Sequence, residues 1–362
     1  MWKGIYKRYA WGGFNTEGAE KLLNSGYLAI YEENNTLKIL STNDFSPLLD
    51  LGKGNIFKVI SEKYLYLSYG NTLKKLHIDN FSLEKVCTTN EKNILIFDDT
   101  YCLSSTLTRK PKWSYSYELK SLSSCDTYYQ WNYKNTLYSI VNGDLLLSDE
   151  SSNNKCLKRI SPNTDTELWR FDFNDDSSGR HYMQVVDDIL VIGLQYHNQG
   201  EYQNNTHYNL VGLNVNTGKV LWEILKQPLY PIYQYSKESK KLYTFGDSIF
   251  QVVNPISGVI EKEIDFISDY PHLRASTHKN YLSNGGYLYF ASNGYDEILK
   301  TYLPQVGVIN TDNHELECLV DIEIDLEIIS KASNALNSAP IIHDDRMYII
   351  DCDSNIYILE NQ

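Results

Sequence analysis

Apolar and polar positions alternate along most of this chain in short runs, and each run ends in a cluster of Asn, Asp, Ser, Thr or Gly. A period of two is the mark of half-buried strands, and those clusters are turn formers. The plainest runs are "YLAIYEE" from residue 27, "KYLYLSYG" from 63, "DILVIGLQY" from 188, "KLYTFGD" from 241, "GYLYFAS" from 286 and "RMYIIDCD" from 346. A further run precedes several of them, such as "NIFKVIS", "HYMQVVD", "PIYQYSK" and "APIIHDD". Helical periodicity is nearly absent, and frequent Tyr, Phe, Ile, Leu and Val favour strands.

Downstream of these runs lies a recurring strand–turn–strand unit. Its clearest copy is "LNVNTGKVLW" at 213–222, with Gly218 in the turn and Trp222 closing the second strand. "ISPNTDTELW" at 160–169 places Trp169 where the first copy has Trp222, and "VNPISGVIEK" at 253–262 keeps a turn glycine, Gly258. Weaker copies begin at 309, 40 and 78, with Cys318, Leu49 and Cys87 in the tryptophan place, as Lys262 is in the third copy. The order strand, strand, strand, turn, strand recurs about every 45 residues, the pattern of a propeller blade.

The repeats fall near 18–51, 56–88, 93–133, 136–173, 181–225, 231–266, 272–325 and 338–359. The expected fold is therefore all-β: a β-propeller of four-stranded antiparallel blades, eight in number, with seven the alternative because the third unit is irregular. The last unit lacks a fourth strand, and "GIYKRYAW" near the N-terminus could supply it. Pairing of the two chain ends would close the ring and remove a sheet edge. Residues 1–362 are expected to form one domain, since each blade leans on its neighbours.

The decamer, with its Thr-Gly turn and a Trp four residues after the Gly, resembles the tryptophan-docking repeat of pyrroloquinoline-quinone-like β-propellers. That resemblance implies a structural role for Trp169, Gly218, Trp222 and Gly258, with an indole stacking between blades on a turn glycine. Quinoprotein dehydrogenases of that family hold their cofactor against a ring formed by adjacent cysteines, beside a calcium. This chain has no adjacent cysteines, so neither quinone nor any other cofactor is expected.

Composition narrows the function classes. A formal charge of −13 disfavours phosphate-rich nucleic acid and suits a basic partner. No apolar run has signal-peptide or membrane-spanning length, so the expectation is a cytoplasmic protein without membrane attachment. The six cysteines are scattered, with no CxxC pair, and read as small core residues in a chain too long to need disulfides.

Catalytic signatures for hydrolases, nucleotide binding and zinc are missing. His197, Glu201 and His207 share one segment, but a metal would require them to converge on a point about 2 Å from each, so no metal is expected. Acidic pairs such as Asp187-Asp188 and Asp344-Asp345 recur at equivalent turns, where Asp accepts backbone hydrogen bonds.

The expected binding surface is the face carrying two long connections, 195–208 and 292–305, together with 226–231 and 267–280. Loops on a rigid scaffold concentrate function. These stretches carry Tyr196, His197, Glu201, Tyr202, His207, Tyr208, Tyr230, Asp269, Tyr270, Tyr295, Asp296, Glu297 and Tyr302. Tyrosine gives large contact area at small entropic cost. The chain therefore reads as a non-enzymatic, monomeric protein-binding propeller. An inhibitor or immunity protein that neutralises a bacterial toxin fits an acidic chain without catalytic motifs. The alternative is a carbohydrate-active or other hydrolase or lyase with its site in the central channel.

Overall fold

The computed structural model describes the chain except residues 1, 11–20, 32–35, 54–55, 62, 70, 89–92, 97–99, 109–113, 125, 133–134, 150–154, 174–176, 198–205, 228, 231, 284, 297–300, 323–335, 337–338, 351–354 and 362. Its contacts divide the chain into two compact units, Met1–Tyr133 with Ile341–Gln362, and Lys134–Pro340.

The second unit consists of four antiparallel meanders, each pairing in sequence order. Asn135–Val141, Asp144–Asp149, Cys156–Ser161 and Thr166–Asp172 (β13–β16) make the first, and Ser177–Val186, Ile189–His197, Thr206–Asn214 and Val220–Gln227 (β17–β20) the second. Gln234–Ser236, Lys241–Gly246, Ile249–Val253 and Ile260–Asp265 (β21–β24) make the third; Ala275–Leu282, Tyr287–Asp296, Thr301–Asn310 and Leu316–Asp321 (β25–β28) the fourth. Alternate residues of each sheet face the next, so the core is a series of layers. Leu146, Leu157 and Trp169 meet Leu190, Ile192 and Leu213. Val191 and Leu210 meet Tyr233, Leu242 and Val253. Phe245 and Phe250 meet Leu288, Phe290 and Ile309. Serial stacking of four-stranded meanders is β-propeller architecture.

The first unit follows the same plan. Ile56–Ser61, Tyr64–Tyr69, Thr72–His77 and Leu83–Thr88 (β5–β8) form one meander, and Asn93–Ile96, Tyr101–Thr108, Ser114–Ser121 and Thr127–Asn132 (β9–β12) another. A seven-stranded sheet joins Ile341–His343, Arg346–Ile350 and Asn355–Asn361 (β29–β31) through Trp2–Ala10 (β1) to Tyr27–Tyr31, Thr36–Ser41 and Pro47–Lys53 (β2–β4). β1 pairs with β31 from Trp2↔Asn361 to Ala10↔Asn355, but meets β2 at the single register pair Ala10↔Tyr31. Where a first strand was expected before β2, Lys21–Asn24 form a helical turn. Its consecutive leucines are both buried, Leu22 in the layer with Ala29 and Leu65, Leu23 in the layer with Ile30 and Ile341.

The turn joining the third and fourth strands recurs with one geometry. Its fifth residue has φ between 51° and 69° at Phe45, Phe81, Asp165, Gly218, Gly258 and His314. The amides of Gly218, Gly258, His314 and Phe45 donate to the carbonyls of Asn214, Asn254, Asn310 and Ser41, four residues back. The first residue's side chain closes the turn, as where Asn214 Oδ1 accepts from the Asn216 and Thr217 amides at 3.0 and 2.9 Å. A β-bulge follows in all seven third–fourth strand pairs, and in six of them the residue just after it sits in register opposite the third strand: Ile39↔Leu49, Leu119↔Tyr129, Arg159↔Trp169, Gly212↔Trp222, Val252↔Lys262 and Val308↔Cys318. In β8 the bulge falls two residues later, before Leu73↔Cys87, so the fourth residue after the left-handed Phe81 is Lys85, which corrects the expectation of Cys87 in the tryptophan place.

The tryptophans at that position dock onto the turn of the next sheet. Trp169 Nε1 donates to the Val215 carbonyl at 2.8 Å, and Trp222 Nε1 to the Pro255 carbonyl at 2.9 Å. Each indole lies on the turn glycine: a Cβ on Gly218 would stand 2.8 Å from Trp169 Cδ2, and one on Gly258 2.5 Å from Trp222 Cδ2. Trp169 is 7% exposed, whereas Trp222 is only half-buried, flanked on its other side by Gly212. At the first joint Arg159 adds Nη1 hydrogen bonds to the Val215 carbonyl and Asn216 Oδ1, both at 2.9 Å, while Asp144 holds its guanidinium at 2.7 Å. Arg346 repeats the device in the first unit, donating to the Thr42 carbonyl and to Glu360, and covering the Phe45 ring.

The cysteines divide. Cys102 and Cys156 are buried thiols, and burial pushes the Cys102 thiol up to about 11. Cys87 is disulfide-bonded, which corrects the expectation that a chain of this length does without such bonds.

Candidate functional site

The two long connections expected to be loops are strand where they are described, over 195–197 and 206–208 in the first and 292–296 and 301–305 in the second, a correction to the sequence reading. β18 and β19 remain paired through Gln195↔Tyr208, Tyr196↔His207 and His197↔Thr206. β26 and β27 pair through Ser292↔Gln305, Tyr295↔Tyr302 and Asp296↔Thr301. The backbone ladder continues here through polar residues, and through Asn293, Gly294 and Pro304, where polarity and turn-forming residues suggested a loop. The candidate residues Tyr196, His197, His207, Tyr295, Asp296 and Tyr302 thus occupy ladder positions on two hairpin arms. Glu201, Tyr202 and Glu297 lie outside the described residues. His207 is paired with Tyr196 and His197 with Thr206, so the two histidines hold successive ladder positions rather than facing ones.

The connection from β24 to β25 packs along the base of the second hairpin. The Arg274 amide donates to Ser292 Oγ at 2.9 Å, and the Asn293 amide to the Arg274 carbonyl at 3.1 Å. A Cβ on Gly294 would lie 1.8 Å from the His272 carbonyl oxygen, so only glycine admits the connection. Within that connection Asp269 is exposed, while Tyr270 packs against the layer of Phe266 and Leu273.

Two of the described candidate side chains, Tyr208 and Tyr230, meet. Tyr208, at the base of the first hairpin, stands 5.2 Å in ring centroid from Tyr230 on the β20–β21 connection. Tyr230 in turn stands 4.3 Å from His278 of β25, a residue the sequence reading left out of the surface. The cause is a wide bulge. Ala275 pairs with Ser292 and Asn280 with Phe290, so five steps along β25 match two along β26. A mutual bridge between Asp247 and Ala275 pins the start of the bulge. Inside it Thr277 fills the space over Gly246, Lys279 is buried with its ammonium donating to the Leu336 carbonyl, and His278 projects outward. Bulges of this kind re-aim side chains beside functional sites. The rings form a half-exposed chain of three, and burial raises the Tyr208 and Tyr230 hydroxyls above the usual tyrosine range. The buried amide of Asn209, the residue after Tyr208 in β19, donates to Glu223 at 3.1 Å.

Among the described residues no three His, Cys, Asp or Glu side chains converge as a metal site. No helix is long and apolar enough to cross a membrane, again among the described residues.

Comparison with known proteins places the fold. No family model matches the sequence. No curated protein matches it either. Among solved structures it is similar to the computationally designed Ika8 protein, with a TM-score of 0.58 at 10% identity over 99% of this chain and 98% of that one. It is also similar to a europium-containing methanol dehydrogenase, with a TM-score of 0.51 at 9% identity over 81% of this chain and 73% of that one. Identities this low show the fold and nothing of the activity.

Proposed function

We propose that the chain is a non-enzymatic β-propeller of eight blades that captures a protein partner, with its ring closed by the pairing of β1 on β31. The observation that carries the reading is the Tyr208–Tyr230–His278 cluster, assembled by a bulge in β25 from three separate stretches of the second unit. Partly buried tyrosines with an exposed polar rim are the usual anchors of protein interfaces. The exposed Asp269 of the β24–β25 connection and the net charge of −13 suit a basic partner. Within this reading the chain is a cytoplasmic monomer, and neutralisation of a basic bacterial toxin is the activity that an acidic binding platform serves most directly.

The test compares immobilised wild-type protein with Tyr230→Ala in a lysate of the source cell. The reading expects a protein retained by the wild type and lost from the variant, the variant keeping its melting temperature. Retention by both, or turnover of a glycan or other small substrate that Tyr230→Ala leaves intact, would replace the binding reading with another.

A further inference from the structure

Leu336, on the connection from β28 to β29, is fully buried, and both polar groups of its backbone are held by side chains. Its amide donates to Asn293 Oδ1 at 3.2 Å, and its carbonyl accepts from the Lys279 ammonium. Asn293 belongs to β26 and Lys279 to β25, the two strands that part at the wide bulge. Leu336 therefore spans the bulge, with one bond to each strand. Asn293 serves twice, because its own amide donates to the Arg274 carbonyl where the bulge begins.

The bulge is also what brings His278 to Tyr230. Thr277 and Lys279 are buried and His278 between them is exposed, its ring 4.3 Å from that of Tyr230. Successive residues of an extended strand face opposite ways, so the inward turn of Lys279 fixes the outward turn of His278. Regular pairing continued from Asn280↔Phe290 would instead set His278 opposite Ser292, where Ala275 stands. The bulged form carries a cost: Thr277 Oγ1 and Asn280 Oδ1 are buried and find no hydrogen-bond partner among the described residues. The charge-assisted bond from Lys279 and the burial of the Leu336 side chain act against that cost.

We propose that Leu336 is a removable staple on this bulge. Seated, it holds the contact between Tyr230 and His278; withdrawn, it lets β25 pair regularly with β26 and takes His278 away from Tyr230. The β28–β29 connection then regulates the ring cluster, a local change at one segment setting the state of another. That regulatory role rests on the binding reading of the cluster, whereas the coupling of Leu336 to His278 needs no partner.

Ring protons of His278 and Tyr230 should give a nuclear Overhauser cross-peak in the full chain protonated only at histidine and tyrosine. Lys279→Met removes the ammonium and keeps the stem. It should abolish the cross-peak and speed amide exchange at 276–280 by about tenfold or more, with β22 and β23 still protected. Lys279→Arg, which can donate to the same carbonyl, should keep both at the wild-type level. Asn293→Ala releases the other end of the staple and should act as Lys279→Met does, which decides the matter where Lys279→Met fails to fold. A wild type without the cross-peak, a cross-peak that survives in either folded variant, or its loss in Lys279→Arg overturns the coupling. No partner is present in these measurements, so their failure leaves partner capture standing, and a failure of capture leaves them standing.

Discussion

Trp169 illustrates how a joint between sheets is made from single residues. Its indole gives up water on nearly every side, satisfies its N–H on the Val215 carbonyl, and shares that carbonyl with Arg159. Trp169→Ala should therefore cost about 3–5 kcal/mol in urea unfolding, and Trp222→Ala clearly less, because Trp222 is only half-buried. Gly258→Ala meets both a φ of 69° and the Trp222 ring, so its penalty should exceed the ~1 kcal/mol of a left-handed alanine. In the double variant with Trp222→Ala the excess should vanish, which a double-mutant cycle reads as a coupling energy. His314 holds the corresponding turn place in another sheet. Burial, then the Lys262 ammonium, keep its imidazole below the usual histidine range. A base whose folded pKa is depressed contributes stability that is fully present above the unfolded value near 6.5 and is lost as pH falls through the folded value. His314→Asn should flatten that acid limb of the stability profile. The tryptophans and glycines were legible because the decamer repeats. Arg159 was not, since its partners Val215 and Asn216 stand in the next sheet, more than fifty residues on in sequence.

At the scale of elements, period-two patterning located the strands and the repeat located the turns. Asp187 and Asp344 take left-handed φ of 51° and 52°, so the recurring acidic pairs are turn chemistry. Two things escaped that reading for physical reasons. Hairpin arms such as β26–β27 are polar on their flanks and so resemble loops, although their backbones pair to Asp296↔Thr301. A bulge leaves no mark in hydrophobic periodicity, so the displacement of His278 towards Tyr230 could not be read. The signal present in the sequence was Gly294, a lone glycine inside a strand pattern, which marks close backbone approach. Gly294→Ala should push the His272 carbonyl aside. Amide exchange should then quicken across 267–274 and at Asn293, whose amide bonds to Arg274, while β22 and β23 remain protected. Unchanged exchange in that segment would mean the connection adapts without cost.

For the whole molecule, each unit carries its own layered core, and the chain ends meet in the first unit through β1 and β31. The excess of acid speaks to solubility rather than to the fold, and in the proposed function to the sign of the partner. The proposed binding platform lies in the second unit on paired sheets, so truncating its rings should alter affinity for the proposed partner and leave the core layers intact. The most direct measurement is the calorimetric affinity of the captured partner for wild type, for Tyr230→Ala, and for Leu225→Ala, which removes an exposed side chain from the fourth strand β20 of the same unit. The account expects Tyr230→Ala to weaken binding at least tenfold, about 1.4 kcal/mol, with Leu225→Ala unchanged. Equal affinity for all three proteins would contradict it.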